Sequence, residues 1–443
     1  MMLEKYDAYK DSGVEWLGEI PNNWEIKRLK APLAERNEKN DPIKTDFILS
    51  LTMHQGVIPQ SEKTGGGNKP KEDLTAYKLA RPNDIVLNSM NVIVGSVGLS
   101  KYFGVVSPVY YMLYARDISK TNIGYYNYIF QSQAFQKNLG RLGTGILIKK
   151  SESSGKLNTI RMKISMDNLN NELLPIPSLD EQNKIVDFLN RKTSEIDQAI
   201  AIKEQQIALL NERKQIVIQK AVTQGLDPNV PMKDSGLNGV GNIPQDWEII
   251  KFKYLAKVRY GLGQPPRQLD NGLKIIRATN IERGKIVEKG MLYIDPNDIP
   301  WDRNPTLNKD EIIVVRSGAY TGDSAIVTEE YAGCIAGYDM VATPFNCYPK
   351  FLSTVLLSHY VLYEQIYLLR MRSAQPHLNA EELNELKIVV PPINQQRLIA
   401  NYIEKVESDI GEAISLIKQQ LEKLKEYKTT LINDAVTGKI KVA

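Results

Sequence analysis

One pattern is written twice in this chain, and that repeat limits its fold more than any other feature. Asp11-Ser12-Gly13, Gly18, Ile20-Pro21 and Trp24-Glu25-Ile26 return as Asp234-Ser235-Gly236, Gly241, Ile243-Pro244 and Trp247-Glu248-Ile249, an offset of 223 (234 − 11). A second repeat begins at Pro177 and Gln182 and returns at Pro391 and Gln396, an offset of 214 (391 − 177), running through Ala221-Val222-Thr223 to Ala435-Val436-Thr437. Each half is therefore a variable module followed by a helical one. Two related modules joined by matched spacers suit a target with two-fold character.

The 443 residues carry a formal charge of +4, which permits a nucleic-acid partner without demanding one. No apolar run approaches the ~20 residues needed to span a bilayer, so no membrane role is expected. The first residues lack the apolar stretch of a signal peptide. Cys334 and Cys347 have no metal-ligand spacing, which suits a reduced, cytoplasmic protein.

Residues 178–223 read as one long helix. Ile185, Leu189, Ile196, Ala199, Ile207, Leu210, Val217 and Ala221 recur at three- and four-residue steps, with Lys192, Lys203 and Lys214 completing the seam. Ser178 and Glu181 form a capping-box pattern at its start, while Gly225 and Pro228 end it. The offset of 214 carries the seam to Ile399, Ile403, Val406, Ile410, Ala413, Ile417, Leu421, Leu424, Lys428, Leu431 and Ala435. If the two helices pair within the chain they must run antiparallel; the alternative is pairing with a second copy. Ile196, Ile207, Leu210, Val217, Ile410, Ile417, Leu421, Leu424 and Leu431 are the pairing residues this register selects.

The modules read as mixed α/β. Asp84–Leu87 and Glu311–Val315 are β-rich runs, each followed by a glycine-containing turn. There is no G-x-x-x-x-G-K-[ST] and no complete G-x-G-x-x-G, and Asn304-Pro305 fails the pattern of nucleotide amino-methyltransferases. His54, His359 and His377 are far apart and form no H-E-x-x-H. No catalytic centre is expected.

Groups able to read a DNA groove are better represented. Arginine can donate twice to guanine, and asparagine or glutamine can pair with adenine. In the second module the candidates are Arg259, Tyr260, Arg267, Arg277, Asn280, Arg316, Ser317, Tyr320, Arg372, Gln375 and His377. In the first they are Asn88, Asn91, Arg141, Lys149 and Lys150, with Lys63, Lys69, Lys71 and Lys156 in comparable loops. For any single residue a solvated surface is the simpler reading; only the cluster argues for binding.

Taken together, these residues resemble the specificity subunit of Type I restriction–modification systems. The resemblance rests on Asp-Ser-Gly…Gly-x-Ile-Pro-x-x-Trp-Glu-Ile at 11–26 and 234–249, and on the Pro-x-x-x-x-Gln helix starts at 177–182 and 391–396. The Ala-Val-Thr helix ends, Arg277-Ala-Thr-Asn-Ile281 and Gln375-Pro-His-Leu378 add to it. It implies an α+β fold with two mixed α/β target-recognition domains separated by two long helices. Those helices would form an antiparallel intramolecular coiled coil with a pseudo-two-fold internal repeat.

The expected domains are 1–172 (first recognition domain with an N-terminal arm), 173–226 (first spacer helix), 227–387 (second recognition domain) and 388–443 (second spacer helix). The resemblance further implies a bipartite, asymmetric site on double-stranded DNA, read by a non-catalytic subunit. That subunit would dock methyltransferase subunits, two per specificity subunit, and through them restriction subunits. S-adenosylmethionine, ATP and Mg2+ would belong to those partners, and no cofactor to this chain. The competing expectations are a coiled-coil protein-binding scaffold and a single-chain enzyme with a diverged centre.

Overall fold

The computed structural model describes residues 4–52, 55–64, 70–90, 96–143, 163–370 and 376–442. It divides into two compact units, one of residues 1–203 with 419–443 and one of residues 204–418. Each unit takes one module together with one half of each long helix.

Each module is built on a four-stranded antiparallel sheet. In the first unit the order is Leu33–Arg36, Tyr110–Ala115, Ile85–Asn88, Val97–Leu99; in the second it is Ala256–Tyr260, Met340–Pro344, Ile312–Val314, Ser324–Ile326. Apolar residues such as Ile85, Leu87 and Leu113, or Ile312, Val314 and Met340, turn one face of each sheet into the main core of its unit. The register is shared. Leu87 pairs with Tyr111 and Val97, as Val314 pairs with Met340 and Ser324.

Between the first strand and the third, the two modules diverge. The first unit inserts the hairpin Leu49–Thr52 with Gly56–Pro59 and the strand Lys78–Ala80. The second inserts Gln268–Ile276, which pairs with Leu292–Ile294 and, in parallel, with Ile335–Ala336.

The repeated motifs form the frame around these sheets. Asp11 Oδ1 accepts from Gly13 N at 2.9 Å and Asp234 Oδ1 accepts from Gly236 N at 3.0 Å, so Asp-Ser-Gly opens the same hairpin turn twice. That turn pairs Tyr9–Asp11 with Glu19–Pro21, and Met232–Asp234 with Asn242–Pro244. Trp24 and Trp247 are fully buried.

The long helices run from Leu179 to Gln224 (46 residues) and from Ile393 to Val436 (44 residues). The capping box is present: Ser178 Oγ accepts from Glu181 N, and the Glu181 carboxylate accepts from Ser178 N. The seam is legible in the burial. Ile196, Leu421 and Leu431 are buried, and Ile207, Leu210, Val217, Ile410, Ile417 and Leu424 are half-buried.

Pairing is antiparallel and within the chain in both units. Lys428 meets Asp197 at 2.7 Å in the first, and Lys214 meets Glu407 at 3.5 Å in the second. Ile196 packs with Leu431 and Ile432, and Ile218 with Ile399 and Ile403, as an apolar seam requires in water.

Pro-x-x-x-x-Gln has a structural purpose in both halves. The buried Gln182 amide donates to Pro177 O at 2.9 Å and accepts from Asn122 N at 2.8 Å. Gln396 does the same with Pro391 O and Tyr348 N, at 2.8 Å each. One side chain thus ties the start of a long helix to the start of a module helix. At the far ends, Gly225 and Gly438 have φ of +78° and +74°, which glycine adopts without steric cost. A Cβ there would meet Trp247 and Trp24 respectively, each at 3.1 Å. The helix ends and the module tryptophans are therefore matched surfaces.

Candidate nucleic-acid interface

The arginines singled out from sequence fall into two groups. Arg259 donates to the Glu311 carboxylate at 2.7 Å, to Thr306 O at 2.9 Å and to Thr343 Oγ1 at 3.1 Å. Glu311 is 4 % exposed; burial pushes its carboxyl up, but hydrogen bonds from Arg259 and Thr343 hold it below its ordinary value. The first unit has the same pair in the same sheet position, Arg36 Nε to Asp84 Oδ2 at 2.9 Å. Arg259 therefore belongs to the repeated frame.

Arg267 pairs with Asp298 at 2.8 Å and with Asp295 at 3.2 Å, and Arg141 with Glu172 at 2.8 Å. Arg277 donates to Gly290 O. Asn280 is fully buried, accepting from Arg277 N and donating to Val287 O and Lys289 O, so it holds a turn together.

Arg316 is different. It makes no ion pair among the described residues, and its guanidinium lies between two aromatic rings, 4.7 Å from the Tyr260 centroid and 4.2 Å from that of Tyr338. A guanidinium held over aromatic rings has its freedom reduced, which limits what its donors lose on binding. The strand end that carries it continues into Ser317, which bridges His377, while Leu378 N donates to Arg316 O at 2.8 Å. Gly318 N and Thr321 Oγ1 both donate to Pro376 O.

Arg316, Ser317, Tyr260 and His377, far apart in sequence, are thus brought to one place, with Tyr320 two residues beyond Gly318. Tyr260, Tyr320 and Tyr338 are 39 %, 53 % and 46 % exposed, which leaves aromatic surface around a cation. Arg372 and Gln375 lie outside the described residues.

Two members of this cluster escaped the sequence reading. Tyr338 closes the cation sandwich, and the buried Asp339 accepts from Arg316 N at 3.2 Å. Burial pushes the Asp339 carboxyl up to about 6 against the pull of backbone amides and Arg316, and its second oxygen has no partner. The available signal was an acidic residue at the head of an apolar strand, Tyr338-Asp339-Met340, where a carboxylate is costly without a role.

In the first unit the equivalent place is occupied differently. By sheet register Ser89 stands where Arg316 stands; its carbonyl accepts from Ile164 N, as Arg316 O accepts from Leu378 N. Ser89 Oγ donates to Val109 O at 2.6 Å, and Asn88 Oδ1 accepts from Met90 N at 3.0 Å. Asn91, Lys149, Lys150, Lys69, Lys156 and His54 lie outside the described residues. The same scaffold position thus carries a short neutral side chain in one half and a stacked cation in the other. Among the described residues no group of three His, Cys, Asp or Glu side chains could hold a metal ion. No helix there is long and apolar enough to cross a membrane.

Residues 244–426 match the family model described as the Type I restriction modification DNA specificity domain. The chain is 24 % identical over 444 residues to a Methanocaldococcus jannaschii protein named for the MjaX specificity subunit of a type I restriction enzyme, covering 96 % of each chain. It is 26 % identical to the MjaVIII specificity subunit of the same organism, over 61 % of this chain and 62 % of that one.

Among solved structures, a chain of a type I R-M system superposes with a TM-score of 0.68 at 14 % identity, covering 94 % of this chain and 98 % of that one. The HsdS subunit from Thermoanaerobacter tengcongensis gives 0.52 at 14 % identity, covering 95 % and 98 %. The fold is therefore shared along nearly the whole length. In sequence the chain is thus similar to Type I restriction–modification specificity subunits, with the match to the family model confined to residues 244–426.

Proposed function

We propose that this chain is the DNA sequence-recognition subunit of a Type I restriction–modification complex. It reads a bipartite, asymmetric site on double-stranded DNA, one half-site through the module within 1–172 and the other through the module within 227–387. The helical segments 173–226 and 388–443 set the gap between half-sites. The chain itself is non-catalytic: S-adenosylmethionine, ATP and Mg2+ serve methyltransferase and restriction subunits, with two methyltransferase subunits docked on each specificity subunit.

The observation that carries this reading is Arg316. It is a stacked arginine, without an ion pair among the described residues, in a loop cluster that also holds Ser317, Tyr320 and His377. Such a guanidinium suits two donations to guanine O6 and N7 in the major groove. Its counterpart Ser89 gives the other module a different contact at the same scaffold position, as an asymmetric target requires. Support for docking comes from Leu209, Ile216 and Leu416, apolar residues 54 %, 49 % and 56 % exposed and outside the helix seam.

The test is a comparison of adenine methylation across the host genome with the chain present, deleted, or carrying Arg316→Ala. Deletion is expected to erase a split methylated motif, and the substitution to relax one half-site only. A methylome unchanged by deletion while the methyltransferase subunits are expressed overturns the proposal and favours a protein-binding scaffold.

A further inference from the structure

The two halves differ at one joint where their frames otherwise agree. In the first unit Tyr6 lies edge-on to Trp24, with centroids 5.9 Å apart. It is half-buried against the cluster that contains Trp24, on which Ile440 and Val442 also pack. Burial, and next to it the Glu181 carboxylate, push its hydroxyl well above its ordinary value, as expected of a ring inserted beside the helix start.

In the second unit Trp247 takes the place of Trp24 and Gln395 that of Glu181; Trp247 Nε1 donates to Gln395 Oε1 at 2.8 Å as Trp24 Nε1 donates to Glu181 at 3.2 Å. The sequence counterpart of Tyr6, however, is Asn229, which is exposed. Beside Trp247 there is instead an open cavity of about 260 Å3, walled by Leu226, Val230, Pro244, Leu398 and Ile399.

Its edge is unusually apolar for a solvated surface. Leu226 and Leu398 are 45 % and 61 % exposed, and the counterpart of Leu398 in the first half is Lys184, which is ion-paired to Asp180. Exposed leucines around a pocket floored by a buried indole mark a place where another surface fits. Asp227 and Asp246, both exposed, border the same cavity and give its rim a negative sign.

We propose that this cavity receives an aromatic side chain, tyrosine or phenylalanine, from a segment of a separate protein in which lysine or arginine flanks the ring. Tyr6 on Trp24 is the internal template for the ring, and the two aspartates select the flanks. Gln395 gives a tyrosine hydroxyl an acceptor in the position where Glu181 stands near Tyr6. The cavity shares no residue with the Arg316 cluster, so DNA reading and ring capture can fail separately.

The first test uses p-cresol, the tyrosine side-chain analogue, titrated into the full chain while indole N–H resonances are followed. The Trp247 resonance is expected to shift and that of Trp24 to stay fixed. Asn229→Tyr, which supplies the missing ring in the chain itself, should abolish the shift. So should Leu398→Lys, which restores the charge found at Lys184 in the other half. A Trp247 resonance unmoved by p-cresol, or a shift that persists in both variants, overturns the proposal.

The second test places p-benzoylphenylalanine at Leu226 of the full chain in its host and maps the photo-adducts. An adduct within a stretch of another protein that carries tyrosine or phenylalanine beside lysine or arginine, lost in Asn229→Tyr, is the expected result. Adducts only to a second copy of this chain, adducts in stretches without an aromatic residue, or no adduct each overturn it.

Discussion

Arg259 and Arg316 stand near the C-terminal ends of two strands of one sheet, with a single strand between them, and they teach opposite lessons about a cation in a sheet. Arg259 is closed in by Glu311, Thr343 and a backbone carbonyl, and the other module repeats the arrangement with Arg36 and Asp84. Arg316 has aromatic rings in place of a carboxylate, and the other module replaces it with Ser89. What repeats between halves serves the frame; what changes is available for recognition. A charge partner of its own protein makes an arginine structural, and a stacked arginine without one remains free to bind.

That contrast can be broken most directly by alanine. Arg259→Ala strands a buried Glu311, and the expected loss in a urea unfolding experiment is about 3–5 kcal/mol, as for other buried pairs deprived of one partner. Arg36→Ala should behave alike in the first unit, and a loss below about 1 kcal/mol in both would contradict the frame role. Gln396→Ala, which leaves Tyr348 N and Pro391 O without their partner, should cost about 1–3 kcal/mol. Gln182→Ala is its internal control.

Arg316→Ala should leave the unfolding midpoint nearly in place. Its expected effect is a weakening of DNA binding by the assembled complex of about 1–3 kcal/mol for the correct half-site sequence. Equal losses on all duplexes, with a smaller salt dependence, would reassign it from base to phosphate contact.

The smallest effect concerns Asp339. Its carboxyl is raised from 3.8 to about 6 by burial, so the folded state binds the proton more tightly than the unfolded one. Stability should therefore rise as pH falls from about 7 toward 4, opposite to the trend for a salt-bridged carboxylate. Asp339→Asn should be more stable than the parent at pH 8, by at most about 3 kcal/mol, with the gap closing below pH 4. A gap that does not change with pH would show that the carboxyl titrates normally.

Much of the frame was legible because it is local or periodic. The helix seam needed only three- and four-residue spacing, and every pairing residue chosen from it is buried or half-buried. Ser178 with Glu181, and Gly225 as a helix stop, are signals a few residues long. The role of Gln182 was not legible: its acceptor at Pro177 is near in sequence, but the donor at Asn122 is not.

The arginines were harder for the same reason. Nothing around Arg259 or Arg316 tells them apart; the difference lies in Glu311 and in Tyr338, which the sheet brings in. The repeat itself held part of the answer, since Arg36 and Asp84 recur as Arg259 and Glu311, while no cation answers Arg316 in the first half. Stacked rings and loop closure over Pro376 depend on tertiary packing and leave no periodic trace.

The two ion pairs of the frame have a consequence for inheritance. Arg36 with Asp84, and Arg259 with Glu311, each join the two ends of a segment whose strands differ completely between halves. Because the pair closes the base of the segment, a longer or shorter replacement costs little in loop entropy and leaves the neighbouring strands where they were. A lineage can therefore exchange such a segment by recombination in one step, acquiring new contacts without a compensating mutation elsewhere. Foldability is inherited with the bracket and novelty with what it encloses.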